Sequence, residues 1–475
     1  MFLVRGALLF RMACIGIVTG VAFFSSASFS AAIVEGETFV HLFEWRWDDI
    51  AKECQTHLKD AGFRGVQISP PNEHVVVTGK PWWQRYQPVS YLLESRGGDA
   101  ASFRNMVETC AENDVDIYVD AVINHMSGIA DGQRSKGSAG SDFGHYDYPG
   151  YSSNDFHFCG TVGNDIDDYS DKYVVQNCEL LNLADLKTGS HYVQERLSTY
   201  LASLVKIGVK GFRIDAAKHI PSEDLSEILT RARNKAGRSF FVFQEVIDLG
   251  MEPIRAEDYF NNGRVTEFWY SRKISEVVGR GKLDWLNNNS PFGESWGFMP
   301  SSSAVVFVDN HDNQRGHGGG GETLTHKWGA RYVLANVLML SWPYGYPKVM
   351  SSFSFEHSDQ GPPTVSGELC RPGAYICEHR WPEIRAMVQF RKHVAGTALE
   401  NWWSNGNNQV AYSLGDKGFV ALNNESSTFD EMLYTGMADG KYRDILATNG
   451  ELVEVKDGYL EVSIPPYRSL AIISE

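Results

Sequence analysis

The chain has 475 residues, 43% of them hydrophobic and 12% aromatic, so it can bury a large core. Its formal charge of −16 argues against nucleic acid or an anionic membrane surface as partner and suits a neutral substrate. The length exceeds that of a minimal eight-stranded α/β barrel, so a chain of that class would carry an inserted or appended domain.

Residues 1–32 read as an export signal. Arg5 and Arg11 precede an apolar run from Met12 to Phe24, and a small-residue stretch from Ser25 to Ala32 follows. The competing reading is an uncleaved anchor, because Met12 to Ile33 carries no charge and can span a bilayer. The serine-rich end favours cleavage. From Thr38 to about Gly396 strand-like and helix-like signals alternate. The strand candidates are Thr38–Phe43, Gly65–Ile68, Ile117–Ile123, Gly211–Ile214, Phe240–Gln244, Val265–Phe268, Val305–Val308 and Lys348–Met350. Several are nearly continuous apolar runs, as expected of parallel strands covered on both faces. In Asp48–Asp60, Ile50, Cys54 and Leu58 recur at helical spacing behind a start signal at Asp48. In Ser190–Lys206, Val193, Leu197, Leu201 and Leu204 form one apolar stripe, a packing face.

Residues 124–186 break the alternation with a long stretch rich in Gly, Ser, Asp, Asn and Tyr, where the third strand should lead into a helix. Such a stretch inside a compact domain is usually functional. Gly316–Gly321 is a glycine strip, either a surface loop or a mobile edge beside a cleft. Beyond about Gly396 the signals are short and alternating (Gln409–Ser413, Gly418–Leu422, Leu452–Val455, Tyr459–Ile464), which reads as a small antiparallel sandwich.

Three of the apolar runs end in acids: Gly211-Phe212-Arg213-Ile214-Asp215, Phe243-Gln244-Glu245, and Phe307-Val308-Asp309-Asn310-His311-Asp312. A carboxylate where a buried strand emerges is costly to desolvate unless it is solvated, paired or used. Any one could be an ordinary ion-paired or capping acid. Three at βα spacing suggest acids converging on the C-terminal face of a (β/α)₈ barrel.

These motifs, with Val40-His41-Leu42-Phe43-Glu44-Trp45, Pro81-Trp82-Trp83-Gln84-Arg85-Tyr86-Gln87-Pro88 and Asp120-Ala121-Val122-Ile123-Asn124-His125-Met126, resemble the α-amylase family of glycoside hydrolases, in particular its chloride-dependent animal and bacterial members. The resemblance implies a barrel (33–123 and 187–396), an inserted domain B (124–186) and a C-terminal β-domain (397–475). It implies that Asp215 is the nucleophile, Glu245 the general acid/base and Asp312 a transition-state stabiliser. Retention through a covalent glycosyl-enzyme would place the first two carboxylates about 5–5.5 Å apart. Asp215 would then have to stay ionised beside Arg213 while Glu245 holds a proton.

By the same resemblance Asp120, His125, His311, Arg213, Lys218, His219 and Ile247 contact substrate, and Trp82, Trp83, Tyr86, Gln87 and Tyr169 form a platform for sugar rings. The tryptophans also stand out on their own. Adjacent side chains after Pro81 diverge, so both cannot easily be core. Calcium is implied at Asn124, Asp185 and the backbone carbonyls of Gln176 and His219, joining domain B to the barrel. Chloride is implied at Arg213, Asn310 and Lys348. It would offset two buried cations that otherwise favour the ionised form of Glu245 and spoil it as an acid. Lysine binds an anion as a point charge, without arginine's fork.

Cys14 would leave with the signal, and the six remaining cysteines allow fifteen pairings. The resemblance selects Cys54–Cys110, Cys159–Cys178 and Cys370–Cys377. The implied activity is secreted, extracellular endohydrolysis of α-1,4-glucosidic bonds in starch and glycogen. No oligomerisation signal is visible, so a monomer is expected, with no membrane partner after signal cleavage. The rivals are an α-glucan transglycosylase on the same site and a non-catalytic carbohydrate-binding homologue. The second should have lost at least one of the three acids, and all are present.

Overall fold

The computed structural model describes residues 35–474 apart from Asn289, Thr448 and Asn449, so the export-signal reading of residues 1–32 falls outside the described residues. Eight parallel strands close into a barrel: β1 (Phe39–Leu42), β2 (Gly65–Ile68), β3 (Asp116–Ala121), β4 (Gly211–Ile214), β5 (Phe241–Gln244), β6 (Arg264–Thr266), β7 (Ala304–Val306) and β8 (Tyr346–Ser351). β1 pairs with both β2 and β8, which closes the ring.

All eight candidate strands are present; three of them (the third, sixth and seventh) end two residues early, and for the last two the reason is visible. β6 stops at Thr266 because Glu267 caps the helix Phe268–Gly279, its side chain accepting from the Trp269 N–H at 3.0 Å. β7 stops at Val306 because the Val308 carbonyl is taken by the hydroxyls of Ser271 and Thr323, each at 2.7 Å. Inside the barrel, Phe39, Tyr118, Phe241, Phe243, Val305 and Tyr346 form a separate apolar cluster near the N-terminal ends of the strands. Gly65 is required there, since a Cβ would lie 2.7 Å from the Tyr118 ring.

The outer helices bury the stripes the sequence predicts. Ser190 caps the helix His191–Ile207, accepting from the Val193 N–H at 3.3 Å, and Val193, Leu197, Leu201 and Leu204 are fully buried. Asp48 is not the start of its helix. The helix begins at Trp47 after Arg46, and the Trp47 N–H is satisfied by the Gly97 carbonyl at 3.0 Å, so no side-chain cap is needed. Asp48 and Asp49 instead lie in the first turn, where carboxylates suit the helix dipole. The helical run continues to Ala61 through a π-helical segment, Cys54–Leu58.

Between β3 and β4 the chain makes its excursion, containing one short hairpin (Arg134–Lys136 with Asp142–Gly144) and a short helix (Lys172–Asn177). Its two ends lie side by side: Met126 N–H donates to Ala184 O at 2.9 Å and Leu186 N–H to Asn124 O at 3.0 Å. The expected disulfides Cys54–Cys110, Cys159–Cys178 and Cys370–Cys377 are formed. After the barrel, two four-stranded antiparallel sheets face each other. Phe419, Ala421 and Ile472 of one and Phe429, Leu460 and Val462 of the other share a core, as a sandwich requires. Among the described residues no helix is long and apolar enough to cross a membrane.

Candidate active site

The C-terminal ends of the strands open into a cleft of about 710 Å³, walled on one side by the excursion. Asp215 follows β4, Glu245 follows β5, and Asp312 comes six residues after β7, all three on the cleft surface. The turn that carries Asp312 is locked by two asparagines. Asn310 Oδ1 accepts from the Asp312 and Asn313 N–H groups at 3.0 and 2.7 Å, and Asn313 Oδ1 accepts from the Asn310 N–H at 2.8 Å.

Arg213 organises the acids from beneath. Its Nη1 donates to Asp120 Oδ1 at 2.5 Å and to Asp215 Oδ1 at 2.8 Å, and its Nη2 pairs with Glu245. Glu245 also accepts from the Ala216 N–H at 3.0 Å, and Ala216 adopts a left-handed conformation (φ 48°) to present it. Asp120 is fully buried and bonded by Gln67 Nε2 (3.1 Å) and Tyr86 OH (3.0 Å). Neither Asp120 nor Arg213 lines the cleft. They form its floor and act through Asp215, Glu245 and Tyr86.

One guanidinium cannot offset three buried carboxylates. Burial pushes Asp215 well above the usual range. Arg213 opposes the shift, whereas Glu245 and Asp120 add to it. Burial likewise raises Asp120 against Arg213, and burial with Glu245 pushes Asp312 up to about 7. Arg213, at 2.8 Å, opposes a shift that burial and the neighbouring acids drive toward the protonated form.

Trp82, Trp83, Tyr86, Gln87, His125, Tyr169, Lys218, His219, Ile247 and His311 all line the cleft. Trp82 is mostly buried, its indole N–H fixed by the Ser358 carbonyl at 2.8 Å, while Trp83 is more open. Tyr86 stacks on His311 (ring centroids 5.0 Å, 12°). Burial pushes His125 and His219 down to about 4 and His311 well below the usual imidazole range, so all three are neutral hydrogen-bonding groups at physiological pH. Lys218 donates to the Ile247 carbonyl at 2.9 Å, pairs with Glu252 and lies over the Tyr169 ring at 5.7 Å.

Several lining residues carried no signal in the sequence. Leu180, Leu181, Leu183, Leu249 and Glu252 come from irregular segments where no periodicity or motif marks them. The glycine strip does border the cleft, through His317, Gly318 and Gly319.

Two further groups flank the floor. Where the excursion meets the barrel, Asp185 Oδ2 accepts a hydrogen bond from His157 Nδ1 at 2.6 Å, but its buried Oδ1 has no partner. Burial lifts this carboxyl to about 7. An oxygen-rich junction with an orphaned carboxylate oxygen fits a hard cation. Asn124 adjoins it, and His219 Nδ1 bonds the Val175 carbonyl at 3.0 Å, which brings the Gln176 helix against the 217–219 turn. Among the described residues no group of three or more acidic, His or Cys side chains forms a metal cluster, so main-chain oxygens would have to complete such a site. On the other side, Lys348 is 2% exposed and makes no ion pair with any described carboxylate. Burial and Arg213 push it down to about 8. Two buried cations that repel each other fit a bound anion. Asn310, whose oxygen is already occupied, would offer its N–H₂ end.

Comparison with known proteins agrees with this geometry. The family model described as alpha amylase, catalytic domain, matches residues 52–279, and that of the alpha amylase C-terminal all-beta domain matches residues 402–475. The chain is 45% identical over 473 residues to human alpha-amylase 2B, covering 91% of this chain and 92% of the relative. It is 46% identical over 435 residues to an alpha-amylase of Pecten maximus, covering 86% and 85%. The crystal structure of alpha-amylase I from Eisenia fetida superposes with a TM-score of 0.88 at 40% identity, covering 94% of this chain and 99% of that one. The chain belongs to the α-amylase family of glycoside hydrolases.

Proposed function

We propose that this protein is an exported α-amylase that cuts internal α-1,4-glucosidic bonds of starch and glycogen with retention of configuration. The observation that carries this reading is the arrangement of Asp215 and Glu245 on neighbouring strand ends, joined by Arg213 under a cleft that Asp312 faces. The Asp215 carboxylate attacks the anomeric carbon while the glycosidic bond breaks, and Glu245 gives its proton to the departing oxygen. Water then attacks the glycosyl-enzyme, Glu245 takes the water's proton, and Asp215 leaves. Asp312 stabilises the positive charge that grows on the sugar, and Trp82, Trp83 and Tyr86 offer aromatic faces to the rings. A solved mutant of the Eisenia enzyme is a complex with maltohexaose, which supports an α-glucan ligand.

In this reading residues 33–123 with 187–396 form the catalytic domain, 124–186 the cleft wall and 397–475 the appended domain. Asn124, Asp185 and the carbonyls of Gln176 and His219 hold calcium, which fastens the wall to the barrel. Arg213, Asn310 and Lys348 hold chloride, whose charge relieves the pull of two cations on the Glu245 proton. Three paired disulfides support an oxidising compartment. The protein acts as a monomer.

The test is Glu245→Gln assayed on starch and on a substrate whose leaving group needs no protonation. Starch turnover should fall by roughly 10³-fold or more, with partial rescue of the first step on the activated substrate. Near-normal starch turnover would sink the assignment. Product analysis at high oligosaccharide concentration separates hydrolysis from glycosyl transfer.

A further inference from the structure

The wall behind Asp312 contains a cation that the mechanism above does not use. Arg315 closes the 3₁₀ turn Asn313–Arg315 and is 6% exposed. Its guanidinium carbon lies 4.2, 4.6 and 4.9 Å from the ring centroids of Phe355, Phe353 and Phe43, with Trp82 at 5.9 Å. Nη1 donates to the His311 carbonyl at 3.1 Å, while Nε and Nη2 are buried without hydrogen-bond partners.

An aromatic cage does not need a charge merely to be filled. Burial pulls Arg315 down to about 10, so it stays protonated at neutral pH despite the cost of two unsatisfied N–H groups. The carboxylates that feel it are Asp312 first, then Glu44, Glu378 and Asp309. Glu44 already pairs with Arg85 and Arg96. Glu378 accepts from the Ser352 N–H and hydroxyl, and Asp309 from the Tyr332 hydroxyl at 2.9 Å. Among the described residues the Asp312 carboxylate has no ion pair except with His311 Nε2, at 3.5 Å. The charge therefore serves Asp312 most.

We propose that Arg315 is a positioning residue for the reaction. Its bond to the His311 carbonyl fixes the turn that carries His311 and Asp312, and its charge favours the ionised form of Asp312 where that carboxylate must meet the developing positive charge on the sugar. The proposal rests on the reading of Asp312 given above. Other groups facing Asp312 do not replace this charge. Glu245 and Asp120 oppose its ionisation and buried His311 is neutral; Arg213 favours it more strongly than Arg315 does, but shares its charge among Asp120, Asp215 and Glu245, whereas Arg315 has no carboxylate paired to it among the described residues. Asp312 already stands at about 7 with Arg315 present, so losing the cation should leave it mostly protonated at neutral pH.

The experiment compares Arg315→Met, which fills the cage without charge, with Arg315→Lys, which keeps the charge. Both are read by pH profiles of kcat and KM on soluble starch, with melting curves as a folding control. Arg315→Gln replaces the Met variant if that one does not fold. Arg315→Met should lose roughly 10–100-fold in kcat at neutral pH, with KM changed less than about 3-fold. Its acid limb should move to higher pH by roughly one unit. Arg315→Lys should keep the limb in place and recover most of kcat. An Arg315→Met limb superimposable on the wild type overturns the proposal, as does an equal loss in both variants without any limb movement. Asp312→Asn is assayed alongside. If it keeps near-normal turnover, the reading of Asp312 fails. If it is inactive while the Arg315→Met limb does not move, only the proposal fails.

Discussion

The two ends of the barrel use the same strands and opposite chemistry. Phe39 and His41 lie two residues apart in β1, as do Tyr118 and Asp120 in β3, and Tyr346 and Lys348 in β8, so each pair shares a face in successive layers. The lower layer is aromatic: the Phe39 ring meets Tyr118, Phe243 and Tyr346 at centroid distances of 5.5, 5.3 and 4.8 Å. The upper layer is ionic, with Asp120, Arg213 and Lys348 all nearly or fully buried. Aromatic packing in the lower layer stabilises the fold by about 0.5–1.5 kcal/mol per ring pair beyond area burial. Buried charges above cost several kcal/mol per ion before pairing offsets them. A protein selected for stability alone would continue the aromatic layer upward. The change of chemistry within two residues marks where function begins.

The comparison breaks if the upper layer proves to be structural. Asp215→Asn should lower kcat by roughly 10³–10⁵-fold, since it removes the nucleophile. It should leave the melting temperature unchanged or raised, because it takes one charge out of an overloaded acid set. A variant that melts much lower and loses activity only through unfolding would refute the division. The lower layer should respond in the opposite sense. Phe39→Ala should cost about 3–5 kcal/mol of stability through cavity formation. Its kcat, measured well below the melting transition, should stay within about 3-fold of wild type. A large loss of kcat in the folded Phe39→Ala protein would show that the two layers are not separable.

The same contrast explains what was legible in the sequence. Aromatic and apolar strand runs ending in Asp215, Glu245 and the Asp312 turn announce themselves because periodicity and composition change together there. The stripe of Val193, Leu197, Leu201 and Leu204 is equally plain. Asp48 misled because its helix start is satisfied by a carbonyl fifty residues away, at Gly97, which no local pattern reveals. In the C-terminal domain, Leu399–Ser404, Phe429–Tyr434, Gly440–Arg443 and Ser469–Ile473 are strands that the sequence reading missed. In the first three only Phe429 and Leu433 are buried, and a shift of register between Glu400 and Trp403 interrupts the first, so clean alternation is lost. Arg315 looks like an ordinary loop arginine until Phe43, Phe353 and Phe355 close around it.

A third measurement sharpens the comparison at the junction with the excursion. Removing calcium should lower melting temperature and activity together, because an ion bound only by the folded state adds its binding free energy to stability. The gain is about 2.7 kcal/mol when the ion is present at 100 times its Kd. Asp185→Asn should mimic the loss and make the protein insensitive to chelator, since the orphaned Oδ1 is the charged contact on offer. Unchanged melting in metal-free protein, verified by elemental analysis, would remove the site.

The smallest expected effect is the most specific to the ionic layer. Without chloride, Arg213 and Lys348 both favour loss of the Glu245 proton, so the alkaline limb of the activity profile should move to lower pH. Activity at neutral pH should fall by roughly 10-fold, equivalent to about 1.4 kcal/mol, and chloride should restore it. Lys348→Gln removes one cation and should depend less on the anion. Chloride affinity should also weaken as pH rises through about 8, where buried Lys348 gives up its proton and with it half of the positive charge facing the ion. This alkaline effect is separate from that of Arg315, which acts on Asp312 and the acid limb. The measurement is a pair of pH–rate profiles at equal ionic strength, one with chloride and one with a non-binding anion. Superimposable alkaline limbs would refute the electrostatic role even if the ion were found in the protein. A shift of the acid limb instead would mean that the anion answers to Asp312, not to Glu245.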